Sequence, residues 1–363
     1  MSWRETTLGE ITDLKRGFDL PKSQRLQGDV PVYSSSGITG SNSTAAVEGP
    51  CVITGRYGTI GEVFFSGGPC WPLNTALYST EFNGNNPRFI YYLLQTIPWQ
   101  GYTTASAVPG VNRNHVNLCP VKIPDRATQD AIVEVLDSIV DKIALNNRLN
   151  DYLANLCETI ASRYCNDRNS RLRDICYQVA DHVDYDNANQ ETYVSTESLM
   201  QNKGGRQLAS SLPTTGKITR YKAGDTLISN IRPYFKKIWY APFEGTCSGD
   251  VIVFRANDPS NAPYLHACLR QDSFFDYVMQ GAKGTKMPRG DKKQMMEFKV
   301  ASSCSTKDLI LLDSAIKQRS DNDSEITKLQ KLRDTLLPKL MSGEIDVSKV
   351  DLTQLTNNHL AGC

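Results

Sequence analysis

The sequence predicts an α/β protein built twice, with two mixed α/β heads and a pair of long antiparallel helices that pack like a coiled coil. Three observations predict it. Two stretches carry apolar residues at steps of three and four over nearly forty residues. Many segments of the first half return in the second at a near-constant spacing. The remaining sequence is rich in short β-type runs bounded by Gly, Asn and Pro. The expected boundaries are 1–125 for the first head, 126–164 for the first helix and 165–304 for the second head. The second helix follows at 305–343, then a tail at 344–363.

The first helix is marked by Ile132, Leu136, Ile139 and Ile143, then Leu149, Leu153, Leu156 and Ile160. At 1.5 Å per residue it spans roughly 58 Å. Asn146, Asn147 and Asn150 interrupt the stripe midway, and polar residues in such a seam cost stability while fixing register. The second helix is marked by Leu309, Leu312, Ile316, Ile326, Leu329, Leu332, Leu336 and Leu340, with Gly343 as its stop signal. Leu136-Asp137-Ser138 matches Leu312-Asp313-Ser314 at an offset of 176. A helix of this length with one apolar face is not stable alone in water, so the two are expected to pack against each other.

The heads repeat more faintly. Leu8-Gly9-Glu10-Ile11 resembles Leu172-Arg173-Asp174-Ile175, and Gly49-Pro50-Cys51-Val52-Ile53 resembles Gly224-Asp225-Thr226-Leu227-Ile228. Arg56-Tyr57 is expected to answer to Arg232-Pro233-Tyr234. A short helix is expected around 87–96 and again around 262–271. Val111 and Arg113 match Met287 and Arg289.

Composition bounds the function. Of 363 residues, 40% are hydrophobic and 22% charged, which suits a globular protein. No run of about 20 apolar residues predicts a membrane span, and the N-terminus lacks a signal-peptide core, so a cytoplasmic location is expected. Ten cysteines show no Cys-x2-Cys spacing and four histidines are scattered, so no metal is expected and the thiols read as reduced and mostly buried. No phosphate loop, dinucleotide loop, nucleophile elbow or Asn/Asp-Pro-Pro-Tyr/Phe element is present, so no catalytic residue is assigned. The net charge is +1, but residues 203–237 carry eight bases against Asp225, and 283–293 carry five against Asp291. A positive footprint on a near-neutral body fits a protein that touches a polyanion on one face.

The order of these pieces, twice over, resembles the specificity subunit of type I restriction–modification systems. The resemblance rests on Thr7-Leu8-Gly9-Glu10-Ile11, Gly55-Arg56-Tyr57-Gly58-Thr59-Ile60-Gly61, Ile123-Pro124 with Gln129 and Ile132, and Leu336-Leu337-Pro338-Lys339-Leu340-Met341-Ser342-Gly343-Glu344-Ile345. It implies that each head is a target recognition domain reading one half of a bipartite, asymmetric site in double-stranded DNA. It implies two modification (methyltransferase) subunits using S-adenosylmethionine, and restriction subunits using ATP and Mg, with no cofactor bound by this chain. The second module departs from the pattern where Phe235-Lys236-Lys237 replaces Gly58-Thr59-Ile60-Gly61. Alternatives are the recognition partner of a methyltransferase-only or phage-defence system, and a coiled-coil scaffold without DNA reading. Self-association of the isolated chain through exposed docking faces is a further expectation.

Within that framework the expected DNA contacts are loop-borne. Arg56 and Tyr57 follow a strand ending at Thr54, and Arg113 lies in the polar segment 105–115. Asn74 either pairs with adenine or caps its turn. In the second head Arg206, Asn230, Arg232, Lys236 and Lys237 form one basic-polar group, and Lys283, Lys286 and Arg289 another; lysines more often position on phosphate than specify bases. Ile132, Leu136, Ile139, Ile143, Leu153, Leu156, Ile160, Leu312, Ile316, Ile326, Leu329, Leu332, Leu336 and Leu340 are assigned to helix packing. Outward Asp137, Asp141 and Asp151 are assigned to partner docking.

Overall fold

The computed structural model describes residues 3–103, 110–164, 167 and 169–350. The loop residues 105–109 and the tail beyond Val350, both considered above, lie outside them.

The first head opens with strand β1 (Trp3–Thr7) and the one-turn helix α1 (Leu8–Ile11), whose Glu10 reaches back to the Thr7 amide. There follow β2 (Lys15–Arg16), β3 (Val30–Ser34), β4 (Gly37–Asn42), β5 (Cys51–Gly55), β6 (Val63–Ser66), β7 (Trp71–Pro72) and β8 (Ala76–Ser79). Helices α2 (Pro87–Gln95) and α3 (Arg113–Asn117) precede β9 (Pro120–Pro124), which returns to pair antiparallel with β1. The main sheet runs β2-β8-β5-β6, and a second sheet runs β4-β3-β7. Every residue of β5 is buried, as a strand covered on both faces requires. Val52 joins Leu77, Val63 and the α2 residues Phe89, Ile90 and Leu93 in one core. Its neighbours Cys51 and Ile53 point the other way, into a smaller core with Tyr33, Cys70 and Tyr78.

The long helix α4 covers Arg126–Arg163. The second head then repeats the plan: β10 (Ser170–Arg171), α5 (Leu172–Ile175), β11 (Cys176–Gln178), β12 (His182–Asp184), β13 (Tyr193–Val194), β14 (Lys217–Tyr221) and β15 (Thr226–Ser229). It continues with β16 (Ile238–Tyr240), β17 (Gly245–Cys247), β18 (Val251–Ala256), α6 (Ala262–Leu269), α7 (Asp272–Gln280), α8 (Lys292–Met295) and β19 (Lys299–Val300), which pairs with β10. The second long helix, α9, covers Thr306–Ser342. The main sheet here runs β11-β18-β15-β16, the order of the first head strand for strand.

Strand pairing corrects the sequence alignment of the heads by one residue. Val52 lies opposite Ser79 and Phe65, and its counterpart Thr226 lies opposite Phe254 and Tyr240. Val52 therefore answers to Thr226 rather than Leu227, and Arg56-Tyr57 to Asn230-Ile231 rather than to Arg232-Pro233-Tyr234. A one-residue slip exchanges the two faces of a strand, so only the paired structure settles it. Arg113 is likewise laid on Lys292, not Arg289: Asn112 caps α3 and Asp291 caps α8 through equivalent side-chain bonds. The starts of the long helices coincide when Asp125 is laid on Ser305, since each accepts from the amide three residues on. That is one helical turn from the match of Leu136 with Leu312, a shift that keeps the same face.

The chain divides into two units, Met1–Ile143 with Thr327–Cys363, and Ala144–Ile326. In the first, Ile132 and Leu136 share the head's core with Leu337, Leu340 and Met341. Gly343 ends α9 at φ +76°, and an added Cβ would meet the Trp3 ring at 2.8 Å, so both its conformation and its close approach call for glycine. Val347 is buried in that same core, so the start of the tail packs on the first head.

In the second unit α4 and α9 run antiparallel. Asn146 donates to Glu325 at 2.7 Å, Asn150 to Asp323 at 2.7 Å, and Tyr164 to Asp308 at 2.6 Å, so one number rises as the other falls. Asn322 donates to Asn150 at 2.8 Å, which makes the buried asparagines a bonded belt rather than isolated polar groups. Ile139, Ile160, Leu312, Ile316, Ile326 and Leu340 are buried. Ile143, Leu153, Leu329, Leu332 and Leu336 are half-buried. Leu156 departs from the expected stripe: it is 39% exposed, as is Leu149 at 38%. The inward positions are taken by Asn146, Asn150, Ala154, Cys157 and Ile160, leaving Leu145, Leu149, Tyr152 and Leu156 as an exposed apolar line on the neighbouring flank.

Candidate nucleic-acid interface

In the first head, β5 hands the chain to Arg56, whose amide donates to the Thr75 carbonyl at 2.9 Å. Arg56 accepts on its own carbonyl from Val111 at 2.9 Å, and Tyr57 pairs with Gly110. Gly110 is required there, because a Cβ would meet the Tyr57 ring at 2.3 Å. The result is a cleft of about 440 Å³ lined by Arg16, Arg56, Tyr57, Gly110, Asn112 and Arg113 among others. The Arg56 guanidinium lies 4.6 Å over the Tyr57 ring, which orders the side chain while its nitrogens stay available.

The structure thus brings Arg56, Tyr57 and Arg113 together and adds Arg16, which sequence reasoning missed. Asn74 sits beside this group with its side-chain amide donating to Asp19, itself 3.6 Å from Arg16. The Asn74 side-chain amide is thereby engaged by the Arg16–Asp19 turn, 55 residues away in the chain.

The second head builds the same corner from different residues. Ile231 pairs with Arg289, Arg232 donates its amide to Pro288 at 2.8 Å, and Lys283 and Arg289 exchange backbone bonds at 2.9 Å. Asn230 is 7% exposed, and its Oδ1 has no hydrogen-bond partner among the described residues. Carboxylates accompany the cations: Arg289 lies 3.3 Å from Asp250, and Lys283 lies 3.3 Å from Asp291. Lys286 is exposed beside Met287.

The other predicted cations go elsewhere. Lys236 and Lys203 both bind Asp272, at 2.8 and 3.0 Å, and Lys203 also reaches Glu158 of α4 at 2.9 Å. Those bonds hold the Asp272 carboxyl below the usual carboxylate range. Lys237 donates to the Thr196 carbonyl at 2.6 Å, and burial pulls its ammonium pKa down. Arg206 is packed under Trp239 and Phe243, 5.4 and 5.5 Å from the ring centres, with its pKa lowered by burial. Sequence adjacency suggested one group of Arg206, Asn230, Arg232, Lys236 and Lys237; left-handed turns at Arg232 and Lys236 send neighbours in opposite directions. Asp137 is also not a free outward carboxylate. It accepts from Arg88 and from the Tyr92 hydroxyl, whose pKa is raised by burial and by that carboxylate.

Among the described residues no group of three or more His, Cys, Asp or Glu side chains is placed to hold a metal, and the eight cysteines are free thiols. No helix among them is long and apolar enough to cross a membrane.

Duplicated α/β heads and paired long helices, with a cation-bearing corner on equivalent strands of each head, define a two-headed protein of repeated design. Residues 1–155 match the family model described as "Type I restriction modification DNA specificity domain". Over 354 residues the chain is 19% identical to the "Type I restriction enzyme EcoDI specificity subunit" of Escherichia coli, covering 83% of this chain and 77% of that protein. The S subunit of a type I restriction–modification system from M. genitalium shares the fold, with a TM-score of 0.59 at 15% identity over 94% of this chain and 96% of that one. The chain resembles the specificity subunit of type I restriction–modification systems, and the matched family is a DNA specificity domain, not a catalytic one.

Proposed function

We propose that this chain reads DNA for partner enzymes. Each head, 1–125 and 165–304, binds one half of a bipartite, asymmetric site in double-stranded DNA. The helices, 126–164 and 305–343, set the gap between the halves. Two modification subunits using S-adenosylmethionine methylate adenine at the site, and restriction subunits using ATP and Mg join them, all in the cytoplasm. The exposed line of Leu145, Leu149, Tyr152 and Leu156 offers an apolar seat for one such partner.

One observation carries this proposal. The same corner of the same sheet recurs in both heads, bearing Arg16, Arg56 and Arg113 in one and Arg232, Arg289 and Lys292 in the other. Repeated scaffolds with different polar side chains at one corner suit two readers of different sequences, since base edges are told apart by donor and acceptor pattern.

The test is methylome sequencing of DNA exposed to the chain with its cognate modification subunits and S-adenosylmethionine. Methyl-adenine at one two-part motif with a constant gap is expected. Absence of any motif, with those subunits shown active alongside another specificity chain, would overturn it.

A further inference from the structure

Three arginines line the cleft of the first head, and their surroundings differ. Arg113 is exposed and makes no ion pair among the described residues. Arg56 lies over Tyr57. Among the described residues Arg16 alone of the three is faced by a carboxylate, that of Asp19 at 3.6 Å, and Asp19 is held in turn by the Asn74 amide.

Arg16 also stands on firmer ground than a loop residue. It belongs to β2 and pairs with Leu77 of β8. The next residues lie flat on the chain at 72–76: Gly17 donates to Ala76 at 3.1 Å, Phe18 to Pro72 at 2.8 Å, and Asn74 back to Phe18 at 2.9 Å. A Cβ on Gly17 would meet the Leu73 carbonyl oxygen at 2.2 Å, so the Arg16–Asp19 turn is fixed by close backbone approach. Arg16 is thus carried on a paired strand with a held carboxylate 3.6 Å from its exposed guanidinium, which narrows the positions its head group can take.

The carboxylate also selects what Arg16 can meet. A phosphate brought to that guanidinium comes close to Asp19 and is repelled by it. A guanine edge is neutral and offers O6 and N7 as two acceptors for the arginine fork, with no such penalty. We propose that Arg16 is the base-reading residue of the first head, taking a guanine edge with Asp19 as its positioning residue, while Arg113 holds phosphate. This rests on the DNA-reading function proposed above.

The experiment measures binding of the full chain, assembled with its modification subunits, to duplexes varied one base pair at a time across the first half-site, at several salt concentrations. Arg16→Ala is expected to lose about ten- to hundredfold discrimination at one G·C pair, with unchanged affinity for unrelated duplex and an unchanged salt slope. Arg113→Ala is expected to weaken every duplex alike and to flatten the slope by about 0.9. Asp19→Asn is expected to lower discrimination at that same pair while strengthening binding to unrelated duplex, an outcome that mere loss of structure does not produce. If Arg16→Ala weakens all duplexes equally with a flatter slope, or leaves discrimination intact, the assignment is overturned. A wild-type assembly that discriminates no duplex overturns the DNA-reading function itself, and the assignment with it.

Discussion

The two heads share one sheet and differ in what surrounds it. The main sheets have the same four-strand order and register, because each packs on α2 or α6 and on the long helices through a large apolar core. The outer sheets diverge. Both keep a parallel pair, β3 with β7 and β13 with β17, but the first head adds only β4, while the second adds β14 and β12. The cation-bearing corner diverges most. Continuing the β11–β18 register puts Ala180 in the place of Arg16, Asn230 replaces Arg56, and Lys292 replaces Arg113. The second head recovers positive charge with Arg232 and Arg289, and pairs Arg289 with an acid. Packing against the helices holds the shared sheet to one solution, whereas the corner, carried on loops and strand ends, is free of that constraint.

The sharpest way to break the comparison is at Asp225. It occupies the place of Cys51, is 1% exposed on its side chain, and takes two hydrogen bonds from Arg255 at 2.7 Å. Removing the buried carboxylate leaves the half-buried Arg255 without its partner, so Asp225→Ala is expected to destabilise the second unit by about 3 kcal/mol, the lower end for a buried pair. Cys51→Ala removes only a sulfur from an apolar core and should cost about 1 kcal/mol. Denaturant unfolding of the two variants checks the difference; near-equal losses would mean that the ion pair is not what replaced the thiol.

A pH effect comes next. His266 of α6 is fully buried, and burial, with Arg270 and Arg319 nearby, drives its pKa well below the ordinary value. The native state therefore binds fewer protons than the unfolded one as pH falls below about 6.5. Stability present above that pH is lost on acidification, at about 1.4 kcal/mol per pH unit at most. Tyr91 stands at the equivalent position of α2, so the first unit lacks this loss. Thermal unfolding at pH 7.5 and 5.5 should show it, and His266→Phe should flatten it; an unchanged slope in that variant assigns the effect elsewhere.

What the sequence made legible follows from these same forces. The long helices were readable nearly to their ends, because tens of residues repeat one apolar period. Their flanks were not: Leu149 and Leu156 have the right spacing, and only the burial of Asn146, Asn150 and Asn322, with their bonds between the helices, shows which side faces in. Strands of four or five residues buried on both faces carry no alternating face signal, hence the one-residue slip between Val52 and Leu227. Arg16 was missed because nothing local marks it; it reaches the cleft through pairing of β2 with β8, more than sixty residues away in the chain. The Lys236 and Lys237 partners, Asp272 and Thr196, lie 36 and 41 residues away. Their basic cluster was visible in the sequence, and its neutralisation was not.

The smallest expected effect tests whether even equivalent helices are held alike. Asn86 caps α2, accepting from the amides of Arg88 at 2.8 Å and Phe89 at 3.3 Å, and its amide donates to Asp130 of α4 at 2.7 Å. Asn261 stands at the same place before α6 but makes no capping bond; its amide goes to the Ser302 carbonyl at 3.3 Å. The first turn of α6 is instead buried outright, with Ala262, Pro263, Tyr264 and Leu265 all in the core. Asn86→Ala should thus cost about 1 kcal/mol and Asn261→Ala a few tenths, since the Asn86 side chain satisfies two first-turn amides and that of Asn261 satisfies none. Hydrogen exchange at the amides of α2 and α6 reads each helix separately, which bulk unfolding does not. Faster exchange in α2 of the first variant, with α6 of the second unchanged, is the expected result. Equal acceleration in both would show that Asn261 contributes through its Ser302 bond as much as Asn86 does through its cap.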